Sequence, residues 1–265
     1  MSVDETLKEE DATQVVSEAV KFEIKSFTDW ILHDDSSIEA GALLQWAAGN
    51  GHLNIYRSIV EEVPDKNPKV REGWTALHEA AGKGHYSVCK YIMDKVEDKN
   101  PKDTIGRTPL HLAADRGHLD ICQLISNVVE DKNPKNADGM TPLHVAAGQG
   151  HLDIYRLISN VVEDKNPKNA YGVTPLHAAA GQGHLDICRL ILNVVKDKNP
   201  EDDWGGSTPL HLAAKNGHVE VCRLIMDAID DIFPKRKDKT TPLQLAAQED
   251  HRAVTDLILT YAARE

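Results

Sequence analysis

The stretch from Thr141 to Val173, TPLHVAAGQGHLDIYRLISNVVEDKNPKNAYGV, decides the fold. Its opening threonine is a good N-cap, and Pro142 suits the first helical turn because its missing N–H group would be unpaired there anyway. The apolar spacing predicts a short helix that ends at Gly150 and a second helix with apolar residues over 152–162. Pro167 then forces the preceding residue out of helical conformation. The stretch therefore predicts a helix hairpin followed by an extended loop.

The same unit recurs at a nearly constant interval along the chain. Successive units begin 33 residues apart, with one interval of 34, and they start at Ala42, Thr75, Thr108, Thr141, Thr174, Thr208 and Thr241. A period kept over so many units is a signature of stacked repeats, in which each hairpin buries its apolar side against the next. The sequence therefore predicts a repeat stack rather than a single central core.

The residues that open these units indicate the kind of repeat. Most units begin with TPLH, TALH or TPLQ, and an AA pair and a GH pair usually follow. This pattern resembles the ankyrin repeat over residues 42–265. The resemblance implies an all-α ankyrin-repeat solenoid, built from stacked helix-turn-helix units that carry extended, β-hairpin-like fingers.

The residues before the repeats divide into two predicted segments. Residues 1–12 contain five acids against one lysine, which predicts a disordered acidic tail. Residues 13–41 carry an approximately helical apolar pattern, which predicts an N-terminal capping helix and a linker because the end of a repeat stack needs a cover with one polar face. Ser36 and Glu39 fit a capping box at the next helix start, and phosphorylation within DDSSIE is the alternative interpretation.

Composition limits the compartments and the classes of partner. The formal charge is −12, the start of the chain is acidic, and no apolar run is long enough to span a bilayer. We therefore expect a cytoplasmic protein without membrane insertion. Its negative charge repels nucleic acid and favours a partner with a basic segment. A short nuclear-import signal, and hence a nuclear location, is the alternative suggested by Lys235, Arg236, Lys237 and Lys239.

Most histidines fall into two columns when the units are aligned. The fourth place holds His78, His111, His144, His177 and His211, and the eleventh holds His52, His85, His118, His151, His184, His218 and His251. The resemblance implies that the fourth-place histidine ties neighbouring loops together by hydrogen bonds, and we expect both columns to be structural. Because no recognised catalytic motif is present, we expect no enzyme activity, no cofactor and no metal site.

The cysteines form another column, at the fifteenth place. Packed helices lie roughly 8–10 Å apart, which exceeds the roughly 7 Å limit for the Cα atoms of a disulfide. We therefore expect four unpaired thiols that pack as small apolar groups, at Cys89, Cys122, Cys188 and Cys222.

The end of the second helix departs from the usual ankyrin sequence. Ankyrin repeats usually read GADVNA there, with glycine ending the helix, whereas this chain has valines such as Val129 and Val162 and then the segment DKNPK. Without a glycine to reverse the chain, we predict longer second helices that continue until the Asn-Pro pair stops them.

The places that vary against this regular background predict a binding surface. The resemblance implies that partners contact the finger tips and the inner face of the first helices. The predicted partner-binding residues are Trp46, Arg71, Trp74, Glu79, Lys83, Ile105, Arg107, Arg116, Met140, Tyr171, Trp204 and Lys215. The predicted anchors are Trp74, Arg107, Tyr171 and Trp204, because aromatic residues and arginine dominate binding hot spots. Alternatively, these aromatic side chains pack on neighbouring fingers.

These observations favour a non-enzymatic protein–protein interaction module or scaffold, which binds its partner on a concave face and acts as a monomer. The alternative is a cytosolic regulatory inhibitor that sequesters a transcription factor or another basic partner, as implied by the similarly acidic inhibitor-of-NF-kappaB proteins. The chain lacks their Asp-Ser-Gly degron. A catalytic domain is not expected, because only 41 residues precede the repeats.

Overall fold

The structure, a computed structural model, describes residues 37–263. The chain divides after Thr104 into two compact units. The described part of the first unit contains α1 (Ser37–Gly49), α2 (Leu53–Glu62), a 3-10 turn (Arg71–Gly73), α3 (Ala76–Lys83) and α4 (Tyr86–Lys95). The second unit contains α5 (Pro109–Arg116), α6 (Leu119–Ser126), α7 (Pro142–Gln149), α8 (Leu152–Ser159), α9 (Pro175–Gln182), α10 (Leu185–Leu192), α11 (Pro209–Lys215), α12 (Val219–Met226), α13 (Pro242–Gln248) and α14 (Arg252–Ala262).

Both units are stacks of helix hairpins. In the second unit, the first helices of successive hairpins pack in the order α5, α7, α9, α11, α13, and the second helices pack in the order α6, α8, α10, α12, α14. In the first unit, α1 packs on α3 and α2 packs on α4. Small side chains such as Ala146 and Ala147 are fully buried, so that the first helices approach closely, while Leu143 and Ile158 fill the space beside them. The all-α repeat fold is as predicted.

Local residues set both ends of the first helices. In α9 the Thr174 hydroxyl accepts from the His177 N–H group, and Pro175 occupies the first turn. Gly183 ends the helix with φ of 78°. A Cβ atom at this glycine would also lie 2.6 Å from Nδ1 of His218 in the next hairpin. Glycine is therefore required here both by the left-handed backbone and by the close approach of the next unit.

The fingers are tight turns rather than strands, since no strand occurs within residues 37–263. In one finger Asn169 N–H donates to the Val173 carbonyl at 2.9 Å, and Ala170 N–H donates to the backbone carbonyl of Asp138 in the preceding finger at 2.9 Å. The Asn169 side-chain oxygen also accepts from two backbone N–H groups of the turn. A turn of five residues is too short to form a ladder of hydrogen bonds. The predicted β-hairpin-like fingers are therefore joined to their neighbouring fingers by single backbone hydrogen bonds.

The prediction of longer second helices is wrong, because α6 ends at Ser126 and α8 ends at Ser159. Val129 and Val162 are also not among the residues with positive φ. Instead, the Lys132 ammonium group donates to the carbonyl oxygens of Ser126 and Val129 at 2.6 and 2.7 Å. A lysine side chain thus takes up the carbonyl groups exposed at the helix end, so that neither glycine nor a longer helix is needed.

The rest of the DKNPK segment fastens the chain on both sides of this lysine. The Asp131 carboxylate accepts from Asn133 N–H at 3.0 Å, which closes a short turn. The Asn133 side chain then accepts from Leu143 N–H at 3.1 Å, at the start of the next hairpin. The same two contacts recur around Asn67 and Asn166. The segment is therefore a clip between the second helix of one hairpin and the first helix of the next.

Helix α1 spans Ser37–Gly49 and therefore includes residue 42, the first residue of the predicted repeat domain. The predicted acidic tail over 1–12, most of the predicted cap over 13–41, and Ser36 of the predicted capping box lie outside the described residues. Among the residues that the structure describes, no helix is both long and apolar enough to cross a membrane.

Candidate functional site

The fourth-place histidines fasten each helix start to the following finger. Nδ1 of His144 accepts from the Thr141 N–H group at 3.2 Å and lies 2.9 Å from the Thr141 hydroxyl oxygen. Its Nε2–H group donates to the Val173 carbonyl at 3.0 Å. Because a carbonyl oxygen only accepts, these contacts require the neutral ring with hydrogen on Nε2. The same contacts are made in the second unit by His111, His177 and His211.

Burial keeps these rings neutral. It lowers the pKa of His144 from 6.5 to about 4, while the hydrogen bond to the Val173 carbonyl acts in the opposite direction. Burial likewise lowers the pKa of His177 and of His211. A neutral ring that both accepts and donates suits a structural bridge, so the predicted structural role of this column is confirmed.

The eleventh-place histidines bridge in the other direction, to the preceding hairpin. Nε2 of His151 lies 3.1 Å from the Asp115 carbonyl oxygen, and Nε2 of His184 lies 3.0 Å from that of Gly148. His85 and His218 make the corresponding contacts at 3.1 Å. Within residues 37–263, no three histidine, cysteine or acidic side chains are grouped so that they could hold a metal ion. Both columns therefore serve the stacking of repeats.

All four cysteines are buried, and no disulfide bond joins any two of them, as the column predicted. Burial raises the pKa of the Cys122 thiol to about 12, and it does the same for Cys188 and Cys222. A thiol with so high a pKa is almost entirely protonated near neutral pH and is a poor nucleophile. Tyr155, which occupies this place in another unit, is buried as well and donates its hydroxyl hydrogen to the Lys165 carbonyl.

Two open grooves lie between successive DKNPK segments. The larger, of about 800 Å³, is bounded by residues 64–70 and 95–98 of the first unit. The smaller, of about 330 Å³, is bounded by residues 163–168 and 194–197 of the second unit. Neither groove contains any of the predicted partner-binding residues. Lys66 and Lys165, which line them, are already engaged as helix caps.

The predicted anchors on the fingers differ in exposure. Trp204 and Tyr171 are exposed over 77% and 40% of their surfaces, and Ile105 over 47%. Trp74 is half-buried and stacks on His78 of the helix that follows it, with ring centroids 5.8 Å apart. Met140 is half-buried as well, with its sulfur 3.2 Å from the side-chain nitrogen of Asn169. Arg107 is half-buried, and Arg71 is exposed beside the first described finger.

The first helices contribute mainly charged groups. Lys83 lies 3.9 Å from Glu79, and Arg116 lies 3.4 Å from Asp115. Lys215 is exposed on α11. Trp46 is the exposed aromatic residue of α1, and its ring centroid lies 5.3 Å from that of His52. These side chains lie on separate helices, and the contacts found for them are to near neighbours in sequence.

Stacking brings together the anchors of two adjacent fingers. The Tyr171 and Trp204 ring centroids are 5.7 Å apart, with ring planes at 86° to each other. The Tyr171 hydroxyl group donates to the Asp138 carboxylate at 3.2 Å, and this hydrogen bond raises the pKa of the tyrosine. Asp138 is one of the variable finger places and lies 33 residues before Tyr171, at the same place in the preceding unit.

The comparisons with known proteins agree with this architecture. A family model described as "Ankyrin repeats (3 copies)" matches residues 16–103, 44–135, 110–202, 154–233 and 194–264. No curated protein shows a significant match to the chain. Because the family matches span most of the sequence and the helix hairpins follow the repeat period, the chain belongs to the ankyrin-repeat family, whose members are generally non-enzymatic protein–protein interaction modules.

Proposed function

We propose that this protein is a non-enzymatic interaction module whose fingers in the second unit bind a partner protein. One observation carries the proposal. Tyr171 and Trp204 are large aromatic side chains that the protein leaves exposed, side by side on adjacent fingers. Aromatic side chains of this size dominate the energetics of protein interfaces, and they occur here on a rigid, hydrogen-bonded support.

The support is rigid because each finger is closed by a side-chain oxygen. The Asp202 carboxylate accepts from Gly205 N–H at 2.9 Å and from Ser207 N–H at 3.1 Å. This finger has six residues, one more than the finger before it, and these hydrogen bonds close it into a turn. A preformed finger loses little conformational entropy on binding, which favours affinity for a given contact area.

We further propose that the protein acts as a monomer in the cytoplasm, with nuclear entry as the alternative, and that its partner carries a basic segment. The formal charge of −12 supports the choice of partner, because opposite charges accelerate association. Binding should then weaken as the salt concentration rises through the range in which surface charges become screened. Light scattering should give the mass of a single 29.3 kDa chain.

Affinity capture from a cell lysate tests the proposed surface. The test variant is Tyr171→Ala with Trp204→Ala. The control variant is Leu119→Ala with Leu259→Ala, which removes two exposed apolar side chains from second helices. Proteins that bind at the fingers should be retained by the wild type and the control and lost by the test variant. If the test variant captures the same proteins in the same amounts, the finger surface is not the binding site.

A further inference from the structure

The two exposed rings form a corner with a carboxylate at its edge. The planes of Tyr171 and Trp204 are nearly perpendicular, at 86°, so two aromatic faces border the same space. Asp138 accepts the tyrosine hydroxyl hydrogen at 3.2 Å. The negative faces of aromatic rings attract cations, and tryptophan does so most strongly. A hydrogen bond to a carboxylate places additional negative charge beside the tyrosine ring.

The first unit shows how the same arrangement behaves when a cation is within reach. The Tyr91 hydroxyl group donates to the Glu61 carboxylate at 3.1 Å. The Arg57 guanidinium carbon lies 4.8 Å from the centroid of the Tyr91 ring, and the Lys95 ammonium nitrogen lies 5.5 Å from it. Here, a tyrosine bonded to a carboxylate is covered by cations of its own chain.

The corner in the second unit has no such cover within the described part of the chain. Neither Tyr171 nor Trp204 has a lysine or arginine over its ring as Tyr91 does. The third residues of five successive fingers form a tip column that contains acidic, aromatic and aliphatic side chains but no basic one: Ile105, Asp138, Tyr171, Trp204 and Asp238. The arrangement therefore offers two aromatic faces and a carboxylate to a cation from another molecule.

The charged groups around the corner also bear on what it binds. The carboxylate of Asp203 lies against Gly172, where an added Cβ atom would be 2.9 Å from its oxygen. The Lys237 ammonium group is held by the carbonyl oxygens of Asp203 and Trp204, and Arg236 lies 3.7 Å from Asp238. These positive charges are engaged with oxygen atoms of their own chain, whereas Asp138 is exposed beside the rings.

Among biological cations, arginine fits this set of groups best. Its planar guanidinium group stacks on an aromatic face and, at the same time, presents several N–H donors to a carboxylate. A lysine ammonium group is more strongly hydrated and has no plane to stack. We infer that the corner between Tyr171 and Trp204, with Asp138 at its edge, receives an arginine side chain from an extended segment of the partner protein. This inference rests on the proposed function and specifies the chemistry of the partner.

The test is a titration of the full chain with the peptide acetyl-Gly-Gly-Arg-Gly-Gly-amide. The matched probe replaces arginine by citrulline, which keeps the shape and removes the charge. Binding is followed by the indole N–H resonance of Trp204 in NMR spectra, assigned by its loss in Trp204→Leu. The arginine peptide should shift this resonance in a saturable way, and the citrulline peptide should bind about fivefold more weakly.

Two variants separate the corner from general attraction to an acidic protein. Asp138→Asn should weaken binding of the arginine peptide about threefold, whereas Tyr86→Leu, which removes an exposed aromatic side chain of the first unit, should leave it unchanged. Equal binding of the two peptides, no effect of Asp138→Asn, or a larger shift with a glutamate peptide would each overturn the inference. If the arginine peptide fails while lysate capture still depends on Tyr171 and Trp204, the proposed function stands without an arginine ligand.

Discussion

Replacing His144 by glutamine should flatten the pH dependence of folding stability below neutral pH. Well above pH 6.5 this histidine is neutral in both the folded and the unfolded chain, so it contributes no pH dependence there. As the pH falls from 6.5 toward 4, the unfolded chain binds a proton that the folded protein refuses, because burial lowers the pKa of the folded ring to about 4. Stability is therefore lost as the pH falls through this window.

The magnitude follows from the two pKa values. Each tenfold difference in proton affinity is worth about 1.4 kcal/mol, so a fall from 6.5 to about 4 corresponds to a loss of about 3 kcal/mol in the free energy of unfolding. Glutamine is the matched replacement, because the last unit has Gln244 at this place, with its side-chain oxygen 2.9 Å from the Thr241 N–H group. It keeps an acceptor for the capping bond and removes the titration.

The assay is urea unfolding followed by circular dichroism at several pH values between 7.5 and 4, in wild type and His144→Gln. Other titrating groups are shared by the two proteins, so they cancel in the difference. Wild type should lose about 3 kcal/mol more than the variant over this range. His177→Gln should change the pH dependence in the same direction, since burial lowers the pKa of that ring as well. Parallel stability curves would show that the buried ring is not held neutral.

Three further substitutions test the architecture by urea unfolding. Lys132→Met should lower the free energy of unfolding by about 2 kcal/mol, because two charge-assisted hydrogen bonds to the carbonyl groups of Ser126 and Val129 are lost. An unchanged free energy of unfolding would mean that water caps this helix equally well. Lys239→Gly should instead stabilise by about 1 kcal/mol, since a lysine with φ of 68° occupies a place where earlier fingers have glycine; an unchanged midpoint would contradict backbone strain there. Gly150→Ala should destabilise by at least about 1 kcal/mol, because its φ is 79° and the new Cβ atom would lie 2.6 Å from the ring of His184; a neutral effect would contradict this packing.

The sequence alone determined the repeat, the number and order of the hairpins, and the roles of the histidine and cysteine columns. These features depend on residues within one unit or on the same place in neighbouring units. Thr141, Pro142 and Gly150 set the ends of α7 through local backbone preferences. Because the repeat period is constant, residues at the same place in different units, such as Cys122 and Cys188, are predicted to be buried to the same extent.

The tertiary structure alone decided how the second helices end and which anchors are exposed. Lys132 caps α6 because the chain folds back within reach of the Ser126 carbonyl, a path that helix propensities do not encode. Likewise, Trp74 and Trp204 both lie on fingers, but Trp74 directly precedes the N-cap residue of a helix and its ring stacks on a buried histidine, whereas Trp204 is the third residue of its finger and remains in solvent. Ring orientation depends on the neighbours that stacking places in contact. For Tyr171 and Trp204 the neighbours are each other, 33 residues apart in the sequence and thus beyond the range of local patterns.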